Sequence, residues 1–254
     1  MRMEAKVLNS GRLMDRIIRA LEQKKPLSVI SVGATESYAM AQYRILSEEE
    51  FMNHKEAIVT NSGVKLRGFT FPNIALRNDL VAAVKQADIV GYNIQLRNTM
   101  KAGKMTELVF KTYGIQPKYV YDSLIRRVVM FSQRPKFKDM MRGRKVVLIG
   151  NTAKAARNEM NRRWKHKLNF EIVASLPIKS YTEIGSVKRK LDKLDYDLCL
   201  LSAGVNAIVL APYIARTHGK VAFDIGQGMT SLATKEVVET GFIRKVGLSK
   251  LMKM

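Results

Sequence analysis

Short continuous apolar runs alternate along this chain with longer amphipathic stretches. The short runs are Leu27–Val32, Ile89–Tyr92, Tyr119–Tyr121, Lys145–Gly150, Phe170–Ala174, Leu198–Leu201 and Val221–Gly226. Their length and their Val, Ile and Leu content predict strands, and their lack of polar alternation predicts strands covered on both faces. Between them apolar residues recur at helical spacing. Leu13, Met14, Ile17, Ile18 and Leu21 mark a helix over 12–23, and Leu76, Leu80, Val84 and Ala87 mark another over 73–87. Further helices are predicted at 35–43, 104–113, from 123 onward, 137–141, 152–165, 181–194 and 206–217. Ser47 followed by three glutamates predicts a capped helix start. The stretch 60–70 reads as a loop of the kind that borders sites. Strands alternating with helices predict an α/β fold with a doubly wound, mostly parallel sheet. Three segments follow: an N-terminal helix at 1–23, an α/β domain at 24–230 whose halves meet near 142, and a basic C-terminal extension at 231–254.

Charge changes this picture more than composition does. A hydrophobic content of 46% over 254 residues suffices for a large core. The 44 Lys and Arg against 22 Asp and Glu give a formal net charge of +22. Such a field attracts anions: nucleic acid, an anionic membrane surface or phosphorylated small molecules. Nucleic acid is the weakest of these, because aromatics are only 7% of the chain and are not interleaved with basic residues. The helix at 152–165 carries Lys154, Arg157, Arg162 and Lys165 on one face, either as solvated charge or as a face for phosphate or anionic lipid. Cys199 is the single cysteine and lies in an apolar run, so it reads as a buried thiol in a reducing, cytoplasmic compartment. The N-terminus lacks the apolar core of a signal peptide. Leu198–Ala215 carries no charge, but Gly204, Asn206 and Pro212 divide it into strand, turn and helix rather than a membrane span.

Candidate chemistry sits where strands end. Gly33, Gly150, Gly204 and Gly226 each follow a predicted strand, where glycine permits a sharp exit and lets phosphate approach helix-terminal amides. Four such exits on one sheet edge suggest a nucleotide-sized cleft. Gly150-Asn-Thr-Ala-Lys-Ala lacks the spaced glycines of a dinucleotide site, and no Walker sequence occurs. Glu36 and Asp224 are the acids placed at strand ends. Each could ligate a divalent cation or accept a proton from an attacking hydroxyl. Each also has a structural reading: Glu36 as a first-turn helix acid, Asp224 as a cap or the partner of a nearby arginine. Arg126 and Arg127 add charge without specificity. The three histidines lack metal-ligand spacing, which argues against zinc.

Lys25-Pro-Leu-Ser-Val-Ile-Ser-Val-Gly-Ala-Thr-Glu36 resembles the opening of the GT-D fold glycosyltransferases. Phe71–Arg77 with Ala83–Gly91, Arg144–Asn151, Leu200–Gly204 and Gly219–Gly226 fit the same family in order, covering roughly 24–228. The resemblance implies a Rossmann-like GT-D fold and transfer of a sugar from a nucleotide-diphosphate sugar, a UDP-sugar above all, to a glycan acceptor. It implies an Asp-x-Glu motif, serving metal and donor, at the first strand exit. The Glu falls on Glu36 and the Asp falls on Ala34; Ser31 stands where an Arg often stands. The implied site is Glu36 and Asp224 as catalytic acids, with Glu36 the ligand of a divalent Mn or Mg ion that Ala34 puts in question. Gly33, Thr35, Gly150, Asn151, Ser202, Gly204 and Gly226 would contact the nucleotide sugar. A GT-D-like binding module without catalysis, and a basic protein docking on nucleic acid or an anionic membrane surface, are the alternatives.

Overall fold

The computed structural model describes residues 5–64, 67–96 and 101–254. In chain order the elements are β1 (Lys6–Leu8), α1 (Ser10–Glu22), β2 (Leu27–Ser31), α2 (Ala34–Ala41), α3 (Glu48–Met52), α4 (Lys55–Asn61), α5 (Ile74–Gln86), β3 (Ile89–Tyr92), α6 (Lys101–Tyr113) and β4 (Tyr119–Asp122). There follow α7 (Ile125–Ser132), α8 (Arg134–Met141), β5 (Lys145–Gly150), α9 (Ala153–Leu168), β6 (Glu171–Leu176), α10 (Ile184–Leu191), β7 (Leu198–Ser202), α11 (Val205–His218), β8 (Val221–Asp224), α12 (Gly228–Thr234), α13 (Gly241–Val246) and α14 (Leu248–Lys253). The strands form one eight-stranded sheet in the order β1-β4-β3-β2-β8-β7-β5-β6. Each neighbouring pair is parallel.

Apolar residues fill both faces of the strands, as continuous rather than alternating runs require. Ile30, Val90, Val147, Ile149, Cys199 and Leu201 pack into one core with α2, α5, α6, α10 and α11. Their neighbours Val29, Ile89, Val146, Leu148, Leu198 and Leu200 pack into a second core with α1, α7, α8, α9 and α12. Period-two geometry sends adjacent side chains to opposite faces, so one apolar run serves two helical layers. The two-sided covering fits the predicted doubly wound sheet. β7 leads into α11 on one face, whereas its neighbours β5 and β8 lead into α9 and α12 on the other. Chain paths diverging in this way open crevices at the carboxyl ends of these strands.

Where structure departs from the sequence expectation, the elements are short. β1 has three residues, only one of them buried, and its partner β4 lies over a hundred positions away. No local pattern marks such a strand. α4 lies partly inside the stretch read as a loop, capped by His54, whose Nδ1 accepts from the Glu56 amide at 3.1 Å. The basic segment after 230 carries the short helices α13 and α14. Ile243 and Leu251 from α13 and α14 close a small third core on Leu124 and Val128 beside α7. Among the described residues no helix is long and apolar enough to cross a membrane; Leu198–Ala215 divides into β7, a turn and α11.

Candidate functional site

β2 exits through Gly33 into α2, and the first turn of α2 closes on itself. The Gly33 amide donates to Glu36 Oε2 at 2.9 Å. A Cβ on residue 33 would lie 2.7 Å from that oxygen, so glycine makes the contact possible. The structural role foreseen for Glu36 is therefore real: its carboxylate caps its own helix. It does not exhaust the residue, because Glu36 also lines a cavity of about 240 Å³ at the carboxyl edge of the sheet. It is the sole acid on that lining among the described residues. Burial pushes its carboxyl above the ordinary value of 4.5, opposed by backbone hydrogen bonds and Arg126 and reinforced by the neighbouring Asp224.

Asp224 ends β8 behind this cavity. One carboxylate oxygen accepts from Arg126 Nη1 in a buried ion pair, and the other accepts from the Gly226 amide at 2.9 Å. Its side chain is 3% exposed, which means the pairing is made without water. Burial raises its pKa, and the Arg126 guanidinium opposes that rise. For Arg126, burial would lower the pKa, but the neighbouring acids, Asp224 first, outweigh burial and hold it above the ordinary value. Gly226 has φ +48, and a Cβ there would fall 2.9 Å from Arg126 Cζ, so the β8 exit is pressed against the guanidinium. Arg127 follows on α7, its Nη1 donating to Thr240 Oγ1 at 3.0 Å, with burial and then Arg126 pushing its pKa down to about 10.

Ser31, the last residue of β2, is buried and shares a 2.7 Å hydrogen bond with the Tyr121 hydroxyl. Gly91 leaves room for that ring, since a Cβ there would come within 2.5 Å of Tyr121 Cζ. On the other side of the cavity Gly150 has φ +143, and a Cβ would meet the Ser202 carbonyl oxygen at 2.3 Å. Gly150 thus lets the exits of β5 and β7 close on each other. Gly204, with φ +54, leads into α11 with open space where its Cβ would be.

Of the residues predicted for the site, Thr35, Glu36, Asn151, Ser202 and Gly204 line the cavity. Gly33 and Gly150 stand behind it, against the lining residues Glu36 and Ser202, whereas Asp224 and Gly226 are not on the lining. Sequence reasoning passed over Arg67, Lys179 and Asn206, which also line it. Arg67 forms an ion pair with Glu56, and Glu56 in turn accepts from Thr35 Oγ1 at 2.7 Å, so α2 and α4 together hold the arginine in place. Arg67 lies in the stretch singled out as a site-bordering loop. That was the available signal. Asn206, in the first turn of α11, is 2% exposed, and its Oδ1 has no hydrogen-bond partner among the described residues. A buried acceptor left unpaired costs roughly 1–3 kcal/mol, which marks a position awaiting a donor.

A parallel α/β sheet, wound on both faces, with a polar cavity where its strands end, is the arrangement of a doubly wound α/β domain that takes a ligand at its strand ends. More particularly, the chain belongs to the GT-D fold-like domain family, which it matches over residues 8–232. No functionally curated protein matches it. Among solved structures it is similar to a glycosyltransferase from Streptococcus sanguinis, with TM-score 0.59 and 14% identity over 93% of this chain and 88% of that one. It is also similar to a domain of unknown function 1792 described as having a distinct glycosyltransferase fold, with TM-score 0.58 and 14% identity over 94% of this chain and 85% of that one. A selenomethionine structure of the same domain type gives TM-score 0.58 and 15% identity over the same shares. At such identities the likeness is one of fold.

Proposed function

We propose that this protein is a glycosyltransferase taking its sugar from a nucleotide-diphosphate sugar of the UDP type and passing it to a glycan acceptor. The observation carrying this reading is a polar cavity lined by Asn206, Arg67 and Lys179, at the carboxyl edge of a GT-D-like sheet. An acceptor oxygen beside two cations suits a ligand that is both hydroxylated and anionic, which describes a sugar phosphate. At about 240 Å³ the cavity is somewhat smaller than the roughly 300–1,000 Å³ of complete small-molecule sites. It therefore takes the sugar-phosphate portion, with the nucleoside toward the exposed Asn151 at its mouth.

Glu36 is the group for proton transfer. It lines the cavity, and its raised pKa brings it closer to neutrality, where a carboxylate is a more effective base toward an acceptor hydroxyl. Asp224 does not line the cavity and acts as a positioning residue through Arg126. The exposed Lys154, Arg157, Arg162 and Lys165 on α9 would draw the protein to an anionic membrane surface presenting acceptors. The buried Cys199 thiol, its pKa raised by burial, is a core residue and fits cytoplasmic residence.

Thermal-shift titration with UDP-glucose and other nucleotide sugars tests the reading. Stabilisation by a UDP-sugar, abolished by Asn206→Leu, supports it; no shift with any nucleotide sugar sinks it. Release or transfer of the sugar, lost in Glu36→Gln, then separates an enzyme from a binding module, which the capping duty of Glu36 and the alanine at position 34 would otherwise favour.

A further inference from the structure

We propose that this protein holds its anionic donor without a divalent cation, using Arg67, Lys179 and the N-terminus of α11 in the metal's place, with Arg126 closing Asp224 to metal. The inference rests on the nucleotide-sugar reading above and concerns how the diphosphate charge is met. The residues that would have to ligate a cation are missing, paired, or, for Glu36, partly engaged in capping its own helix. Position 34 is alanine and offers no oxygen beyond its backbone. Glu36 Oε2 accepts from the Gly33 amide. Both oxygens of Asp224 are taken, one by Arg126 and the other by the Gly226 amide. A divalent ion brought to Asp224 would sit against a guanidinium, with the cationic Arg127 next in sequence, and repulsion at that range is severe where water is excluded. Gly226 packs beside that guanidinium, where a Cβ would fall 2.9 Å from Arg126 Cζ. Among the described residues no group of three or more His, Cys, Asp or Glu side chains could hold a metal ion.

Cations stand instead on the cavity wall itself. Arg67 is fixed by Glu56, yet its Nε is buried with no hydrogen-bond partner among the described residues. An arginine on the cavity wall suits an anionic oxygen, and the neighbouring Asn206 side chain suits a hydroxyl or N–H. Lys179 is exposed at the rim on the turn after β6, its backbone amide bonded to Glu183 at 3.0 Å. α11 points its positive end at the same space, and its first-turn Asn206 is the buried unpartnered group there. On the lining itself two side-chain cations and a helix terminus face one acid, while Arg67 shares its charge with Glu56 behind it.

Isothermal titration of the full chain with UDP and with UDP-glucose, in EDTA and then in Mn²⁺, decides the matter. Affinity is expected to be the same within a few-fold in the two conditions. Arg67→Ala and Lys179→Ala are each expected to weaken UDP by about tenfold or more in EDTA, the loss typical of a hydrogen bond to a charged group. Lys179 is exposed, so its substitution leaves folding intact and keeps the test open if Arg67→Ala unfolds. Electron paramagnetic resonance of free Mn²⁺ gives a readout independent of turnover, and an unchanged free-ion signal on adding protein is expected. UDP binding that appears only with Mn²⁺, or loss of the free Mn²⁺ signal on the protein alone, overturns the inference while the nucleotide-sugar reading stands. Absence of UDP binding in both conditions overturns both.

Discussion

At the scale of single residues, the buried charges decide how this protein responds to pH and to mutation. Glu36 has its pKa raised above 4.5 in the fold, so the native state holds that proton more tightly than the unfolded chain does. Its contribution to stability is full below the unfolded value and is lost as pH rises through the folded one. Glu36→Gln removes the titration, so its melting temperature relative to the parent should climb as pH rises above the unfolded value of 4.5 toward the raised folded one. A difference that stays flat would show that Glu36 does not titrate there. Arg126→Met leaves Asp224 buried and unpaired, a change expected to cost about 3–5 kcal/mol in urea unfolding. Asn206→Leu should act oppositely. It removes an unpaired buried acceptor and should gain up to about 1–3 kcal/mol while ligand binding is lost.

At the scale of elements, the exits from the strands are held open or shut by glycine. Gly150→Ala places a Cβ against the Ser202 carbonyl in a backbone conformation that side-chain residues rarely adopt. Such strain is worth about 1–3 kcal/mol, so the variant should unfold at lower urea, and ligand affinity should fall as the β5 and β7 exits part. Normal urea stability in this variant would mean that the two exits do not need that contact. Elements that repeat a period over ten or more residues were legible beforehand: α1, α5, α9 and α11 fall within three residues of their expected bounds. β1, α4, α12, α13 and α14 were not. Each has seven residues or fewer, too short for a face to repeat, and each owes its existence to what it packs against. β1 exists because β4 offers an edge.

Across the whole molecule, the C-terminal segment shows how distant pieces complete the site's foundation. Ile243 and Leu251 are buried against the start of α7, which carries Arg126 and Arg127, and Thr240 accepts from Arg127. Ile243→Ala opens a cavity there and should cost about 2–5 kcal/mol, measured by urea unfolding. Because the same packing seats α7, UDP-sugar binding should weaken in parallel; unchanged affinity would separate the C-terminal segment from the site. Sequence alone determined the α/β class, the parallel doubly wound sheet and the strand exits that carry Glu36, Asp224, Gly150 and Gly204. Continuous apolar runs and helical spacing are local properties, readable within a window of residues. Only the tertiary structure decided what those exits do. The pairing of Arg126 with Asp224 spans 98 residues, and the wall that brings Arg67, Lys179 and Asn206 together draws on three separate loops and turns. Burial, pairing and an unmet hydrogen bond depend on which neighbours arrive across the sheet edge, and no local pattern in the chain records those neighbours.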